Sequence, residues 1–413
     1  MVEDNSTARR GAEFRLPFGF AELISPIDTA TFKTEYWERK HVVLRRDHPD
    51  YYSSLLTLAD MDHLLATTRV RPSDLRVIAD GVETQVSDLV SEDQPGSYAN
   101  AVETLYAQYR DGATINLLYL QEQWTPLTRL CQSMSDALSA MFHVNVYLTP
   151  AGTRGLKEHF DTHDVFVAQV YGSKRWRLYA PPVELPLKDQ RYLRPEEGPG
   201  EPIADFTLQP GDMLYMPRGT VHQAVSNETA SLHLTIGVQA VLWADLIRRA
   251  VEQATGADVR FRRSLPMGFA RDDELLRKAE KHAAGLLNLL RDSIKPESMV
   301  AEGRTRAMLA RRSTLHGHLI DLESLDALDA DTKLQCRQET MWRIADNEND
   351  IGLVFHGKEV HLPKVAERAL REITGAGVFS ARDISGGLDE AGRLVLVRRL
   401  LKEGFLTLAE RPA

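Results

Sequence analysis

The 413-residue sequence predicts an α+β protein whose core is an antiparallel β-barrel or jelly roll, with helical segments on either side of it. Two observations predict the core. Residues 143–240 break into six short β-type runs, HVNVYLTP, DVFVAQVYG, KRWRLYAP, DFTLQPGDMLYMPRG, HQAVSN and SLHLTIGVQAVL, punctuated by Gly, Pro and Asn. No long helical pattern interrupts them. The third observation is length: 413 residues exceed what one hydrophobic core usually organises, so two or three domains are expected.

The elements follow in chain order. Residues 1–16 are polar and are expected to fray. DTATFKTEYWERK, from Asp28, sets Phe32, Tyr36 and Trp37 at helical spacing. HVVLRR reads as a short strand. LTLADMDHLLA, from Leu56, is an amphipathic helix with Asp60 as its cap. Ser97 to Asp111 is helical, TINLLYL is a buried strand, and the chain is helical again after Pro126. Beyond the β-rich stretch, ADLIRRAVEQA and DDELLRKAEKHAAGLLNLLRDSI are charged helices. The second carries a broad apolar stripe from Leu275 to Leu290 that suits either packing within the chain or a dimer-forming bundle. The last eighty residues read as helix, turn, helix and strand, a pattern similar to a winged-helix module; such modules often serve packing or protein contact rather than DNA. The expected domains are 1–242, 243–335 and 336–413.

Composition narrows the function. A hydrophobic fraction of 43% is ordinary for a soluble domain. The net charge of -9 makes a general nucleic-acid binder a poor expectation and suits a basic partner or none. Cys131 and Cys336 form neither a CxxC nor a Cys/His cluster, so neither a disulfide framework nor structural zinc is expected. The N-terminal run has no apolar segment of signal-peptide length, and no stretch approaches a membrane span. A cytoplasmic, membrane-free protein is expected.

The chemistry concentrates in KEHFDTHDVFVAQVYGSKRWRLYAPP, residues 157–182. His159 and Asp161 stand two apart, so on a strand both face one side. A third ligand must come from elsewhere, and His222 is the candidate. It lies 61 residues after Asp161, beyond a PGD turn and a short strand. Two imidazoles and one carboxylate on one face of a metal leave positions open, as in non-haem Fe(II) oxygenases. A bidentate 2-oxo acid takes two of those positions and dioxygen the third. His163 shares the odd-numbered face of a regular strand, so only a bend there would exclude it. His233 is a further imidazole, better suited to lining a pocket. A 2-oxo dicarboxylate also needs a cation for its far carboxylate. Lys174, which starts the next strand, competes for this role with Arg175 and Arg177.

HFDTHDVFVAQVYGSKRWRLY, PGDMLYMPRGTVHQA and SLHLTIG together resemble the ribosomal oxygenase branch of the JmjC/cupin proteins. FKTEYWERKHVVLRR and NVYLTPAGTRGLKEHFD extend the likeness over most of the chain. The resemblance implies a double-stranded β-helix core, a helical dimerisation region, a C-terminal winged helix, and an iron- and 2-oxoglutarate-dependent hydroxylase of ribosomal protein side chains. It implies that His159, Asp161 and His222 hold iron and that Lys174 pairs with the far carboxylate of 2-oxoglutarate. It also implies that Asn145 and Thr235 contact the cosubstrate. Substrate-facing residues do not transfer. Three other readings compete: a hydroxylase tailoring a small molecule or biosynthetic peptide, an N-methyl demethylase, and a non-enzymatic winged-helix DNA-binding regulator. The intact triad and Lys174 argue against the last.

Overall fold

The computed structural model describes residues 18–67, 71–86, 97–309, 315–337, 340–346, 348–355 and 357–410. The N-terminal stretch expected to fray lies outside them. The chain forms two compact units, one from Met1–Ala137 with Phe142–Gln239 and one from Leu138–Met141 with Ala240–Ala413.

The first unit opens with helices α1 (Phe20–Ile24) and α2 (Thr29–Thr31), the latter running into a π-turn at Phe32–Tyr36. The Asp28 carboxylate accepts from the Ala30 and Thr31 amides and starts α2. Strand β1 (Val42–Leu44) follows, then α3 (Leu58–Thr67). Thr57 caps α3: Asp60 accepts from the Thr57 amide while the Thr57 hydroxyl accepts from the Asp60 amide. Asp60 therefore closes a capping box from inside the helix instead of capping it alone.

A hairpin unforeseen in the sequence comes next, β2 (Leu75–Ala79) and β3 (Val82–Gln85). Its two turn residues, Asp80 and Gly81, have φ of 52° and 75°, the pair of positive values a type I′ turn requires. Helix α4 (Ser97–Arg110), β4 (Thr114–Leu117), α5 (Thr125–Leu138) and β5 (Met141–Thr149) lead into the β-rich region.

There, β6 (Asp164–Tyr171), β7 (Lys174–Tyr179), β8 (Ala204–Leu208), β9 (Met213–Met216), β10 (Val221–Ser226) and β11 (Ser231–Gln239) divide between two antiparallel sheets. The larger has the order β1-β9-β6-β11-β5-β4-β2-β3 and the smaller β10-β7-β8. The β-type run DFTLQPGDMLYMP, broken at its PGD turn, becomes β8 in one sheet and β9 in the other. The PGD turn makes this crossing. Gly211 sits at φ 92°, and a Cβ there would come within 2.3 Å of the His48 carbonyl oxygen. Asp212 pins the turn by accepting from the amides of Gln209 and Arg46.

The sheets face each other across Val165, Val167, Leu214 and Met216 on one side and Trp176, Leu178 and Leu208 on the other. The opposite face of the large sheet carries Phe166 and Tyr215, which meet Phe20 and Phe32 edge-on or tilted with centroids 4.9–6.2 Å apart. Strand β6 is buried on both faces, and this explains its continuous apolar run.

In the second unit, α6 (Trp243–Ala257), α7 (Asp273–Ser293), α8 (Pro296–Leu309) and α9 (His318–Glu323) precede β12 (Leu334–Cys336). A meander of β13 (Trp342–Asp346), β14 (Asp350–Phe355) and β15 (Lys358–Pro363) follows. It is succeeded by α10 (Glu367–Gly375), α11 (Glu390–Lys402) and β16 (Leu406–Leu408), which pairs back on β12. Leu353, Phe355, Leu370, Ile373, Val397, Leu400 and Phe405 belong to one core. Helices α6 and α7 bury no residue fully, and Trp243, Ile247 and Leu287 are 67%, 51% and 66% exposed. Among the described residues no helix is long and apolar enough to cross a membrane.

Candidate active site

The site begins with a backbone event. His159 and His222 form an isolated antiparallel bridge, with the His159 amide donating to the His222 carbonyl at 3.2 Å and the reverse bond at 2.8 Å. Residues directly opposite in such a pair share a face, and the two rings lie 4.4 Å apart between centroids. Their ligand atoms and one from Asp161 all fall within 4.8 Å of one another. The His222 Nε2 to Asp161 Oδ2 distance is 3.8 Å.

Asp161 is not on a regular strand, contrary to the sequence reading. It lies in the irregular link before β6, where its carbonyl accepts from the Gly219 amide at 2.9 Å. Gly219, at φ 88°, leaves no room for a Cβ, which would come within 2.6 Å of the Val183 carbonyl oxygen. Beyond Asp161 the chain bends at Thr162–His163. That bend carries the His163 ring to His143, 5.0 Å away between centroids, and His163 is outside the ligand cluster. Gly237 admits both rings: a Cβ there would lie 2.2 Å from His143 and 2.6 Å from His163.

A network behind the cluster holds this geometry. Asp164 accepts from Arg218 at 2.9 Å and from the Tyr215 hydroxyl at 3.0 Å, and Arg218 also pairs with Glu38. Asp164 is 1% exposed and Arg218 8%. Removing one member of such a buried pair typically costs about 3–5 kcal/mol. The pair fastens the link carrying Asp161 to the link carrying Gly219.

The residues fit a metal ion. His159 Nδ1 lies 2.7 Å from the Lys157 carbonyl oxygen, and His222 Nδ1 lies 3.0 Å from that of Thr220. A carbonyl accepts only, so each Nδ1 carries the proton and each Nε2 presents a lone pair to the cluster. Burial and the neighbouring His159 push His222 down to about 4, so it is neutral at physiological pH. Burial opposes ionisation of Asp161, but His163, His159 and His222 outweigh it and hold the carboxyl below its ordinary value.

The cluster opens onto a cavity of about 290 Å³. Lys174 enters it from the first position of β7, 3% exposed, and donates to the Thr149 hydroxyl at 2.9 Å. Arg175 and Arg177, its sequence competitors, bind Asp205 instead. Among the described residues Lys174 meets no carboxylate, and burial pushes its amine down to about 7. A buried amine beside a metal cluster suits a ligand that brings its own carboxylate.

Thr235, on β11, also lines the cavity, as does His233. His233 stacks flat on Tyr147 at 5.1 Å, and burial with Lys174 nearby holds it well below its ordinary value. Asn145 does not contribute to the cavity wall. Its amide oxygen accepts from the Tyr119 amide at 3.2 Å, and its side chain bonds the Tyr147 hydroxyl.

Sequence reasoning missed Tyr147, Thr149 and Asn116. The register pairs Asn116 with Tyr147, so β4 and β5 set Asn116, Tyr147 and Thr149 on one face and Ile115, Val146 and Leu148 on the other. The alternation in NVYLT was the available signal.

Asp161→Asn or His222→Ala should weaken metal binding beyond the roughly 10–100-fold that loss of an outer-shell partner costs. His163→Ala should leave it nearly unchanged. Calorimetric Co(II) titration measures both, and equal losses for His163→Ala and His222→Ala would reject this ligand set.

The JmjC domain family matches residues 117–246. Ribosomal oxygenase 2 of Rattus norvegicus is 34% identical over 287 residues, which is 67% of this chain and 60% of that protein. The bifunctional lysine-specific demethylase and histidyl-hydroxylase NO66 of Dictyostelium discoideum is 30% identical over 362 residues, 82% of this chain and 69% of its own length. The E. coli protein ycfD shares the fold, with a TM-score of 0.52 at 17% identity over 92% of this chain and 98% of its own. Another structure of that protein, described as a ribosomal oxygenase, holds cobalt and 2-oxoglutarate. Given the family domain and the extent of these alignments, the chain belongs to the ribosomal oxygenase branch of the JmjC family.

Proposed function

We propose that this chain is an Fe(II)- and 2-oxoglutarate-dependent oxygenase that hydroxylates a side chain of a protein, specifically a ribosomal protein. One observation carries the reading: a His159–Asp161–His222 cluster and a buried lysine with no carboxylate partner among the described residues share one cavity. His159, Asp161 and His222 hold the iron. Lys174, steadied by Thr149, takes the far carboxylate of 2-oxoglutarate. Thr235 contacts the cosubstrate from β11, and Asn145 acts through the Tyr147 hydroxyl. Iron held there would activate dioxygen, with 2-oxoglutarate giving up two electrons as it becomes succinate and carbon dioxide and the substrate C–H bond giving the other two. Val165, Val167, Trp176 and Met216 line the same cavity and limit water around the reacting centre.

The chain spans 60% of the length of the rat relative. Residues 1–242 form the catalytic part. Residues 243–335 serve as a dimerisation region, a reading that the exposed apolar residues of α6 and α7 support, and 336–413 is winged-helix-like, with α10 and α11 beside β12 and β16. The expected junction at 335–336 falls inside β12. A cytoplasmic location goes with this reading. A wild-type protein that sediments as a monomer at micromolar concentration would remove the dimer.

The pH dependence follows from Lys174. Below about pH 7 the buried amine is charged and ready for a carboxylate; above it the amine is neutral. Each 2-oxoglutarate bound above that pH must therefore draw in a proton. Apparent affinity should fall by up to about tenfold per pH unit, with about one proton taken up per ligand at pH 8. Calorimetry in buffers of different ionisation heat reads that number, and no proton uptake would move the role away from Lys174.

The substrate reading is tested by incubating the iron-loaded protein with 2-oxoglutarate and total extracted ribosomal proteins, then digesting and mapping masses. A gain of one oxygen atom on one side chain is expected. Oxidation of free amino acids alone would promote the small-molecule reading, and release of formaldehyde would promote demethylation.

A further inference from the structure

We propose that Glu83 selects the substrate side chain, its carboxylate accepting a hydrogen bond from a nitrogen donor on the residue to be oxidised. This rests on the oxygenase reading above and adds a specificity residue to it.

The cavity wall contains two carboxylates, Asp161 and Glu83. Asp161 belongs to the metal cluster. Glu83 has no such task, and among the described residues its carboxylate accepts no hydrogen bond. Its nearest cation, Arg76 Nε, stands 3.6 Å away, outside hydrogen-bonding reach. The Arg76 Nη1 donates to the carbonyls of Ser73 and Leu75, so the guanidinium is tethered to its own strand and serves only as a fixed counter-charge.

The hairpin fixes the backbone position of Glu83 at the wall. It lies two residues past the Asp80–Gly81 turn, paired with Ile78. Gly81 presses against Lys157, where a Cβ would come within 2.5 Å of the lysine side chain. Lys157 is also the residue whose carbonyl orients His159. The turn that positions Glu83 is thus packed against the segment that orients a ligand. Glu83 is near enough for its charge to act on His159 and Tyr147.

Charge polarity then sets the chemistry. Lys174 is 3% exposed at the closed end, whereas the Glu83 side chain is 37% exposed at the mouth. The complementary filling has an anion deep inside and a donor outside. 2-Oxoglutarate answers the first requirement only. Both of its ends are anionic, so Glu83 repels it from the mouth and keeps that space for another molecule. An imidazole, guanidinium, ammonium or amide N–H satisfies the carboxylate. An aliphatic or thioether side chain would desolvate it while offering no hydrogen-bond donor, and such asymmetry is what gives polar sites their discrimination.

The test uses the ribosomal-protein fragment that gains oxygen in the mapping experiment, synthesised in natural form and with the target residue replaced by methionine. Binding to the protein loaded with Fe(II) and 2-oxoglutarate is measured under argon by fluorescence anisotropy, so turnover plays no part. The wild type should prefer the natural peptide by about ten- to a hundredfold, the range of one charge-assisted hydrogen bond. Glu83→Ala should reduce that preference to under about threefold, and Glu83→Gln, whose amide oxygen still accepts, should retain part of it. The proposal is overturned if Glu83→Ala keeps the full preference, or if the oxidised side chain carries no N–H group. Either result would leave the oxygenase reading standing, because oxygen transfer to the fragment is established first.

Discussion

The structure of the site depends on one pair of backbone hydrogen bonds, those joining His159 to His222. Each metal-binding imidazole comes from a different part of the chain, and an antiparallel bridge places their side chains on the same face without help from the metal. The cost of gathering the ligands is met by folding the sandwich. What remains is to aim them. The Lys157 and Thr220 carbonyls do so by holding one proton on each ring's Nδ1. The buried Arg218–Asp164 pair and the contact between Gly219 and the Asp161 carbonyl hold the third ligand beside them.

A second constraint runs against stability. A lysine 3% exposed, with a hydroxyl as its hydrogen-bond acceptor, is an unfavourable thing to bury. Its neighbourhood is polar for a protein interior, with Thr114 and Thr149 hydrogen-bonded together and His233 kept neutral beside it. Several polar atoms of the site, among them Trp176 Nε1, Gln223 Oε1 and His233 Nδ1, lack a partner among the described residues. Departures from ordinary core rules gather where a ligand would be held, as expected of a binding cavity within an otherwise apolar sandwich.

The second unit raises a different physical problem. Its C-terminal part has a conventional core around Phe355, Leu400 and Phe405. Helices α6 and α7 instead leave large apolar side chains in solvent. Exposed apolar residues on amphipathic helices are commonly covered by another chain, and this supports the dimeric reading.

Much of this was legible in the sequence, for reasons that differ by element. The β-run punctuation and the amphipathic helices are local and follow from spacing and turn chemistry. The HxD pair, the distant His222 and Lys174 were legible as residue types at a given spacing, but Asp161 lies off any regular strand, and the choice of Lys174 over Arg175 and Arg177 came from the family resemblance; in the structure Lys174 points inward while Arg175 turns outward to Asp205. The β2–β3 hairpin was missed although Asp80–Gly81 marks its turn, because β3 is an exposed strand of only four residues with little apolar pattern. Other features are decided by non-local contact. Whether His163 joins the metal depends on a bend at Thr162–His163 and on a glycine at 237 that makes room for its ring beside His143. The division of β8 and β9 between two sheets depends on close approach of Gly211 to His48. The polarity of the cavity, with Lys174 at the floor and Glu83 at the mouth, joins strands distant in the chain. Side-chain type and spacing are local properties, so the residues able to supply the chemistry could be picked out along the chain. Which of them meet was set by folding, because burial and convergence depend on packing between segments that no local pattern specifies.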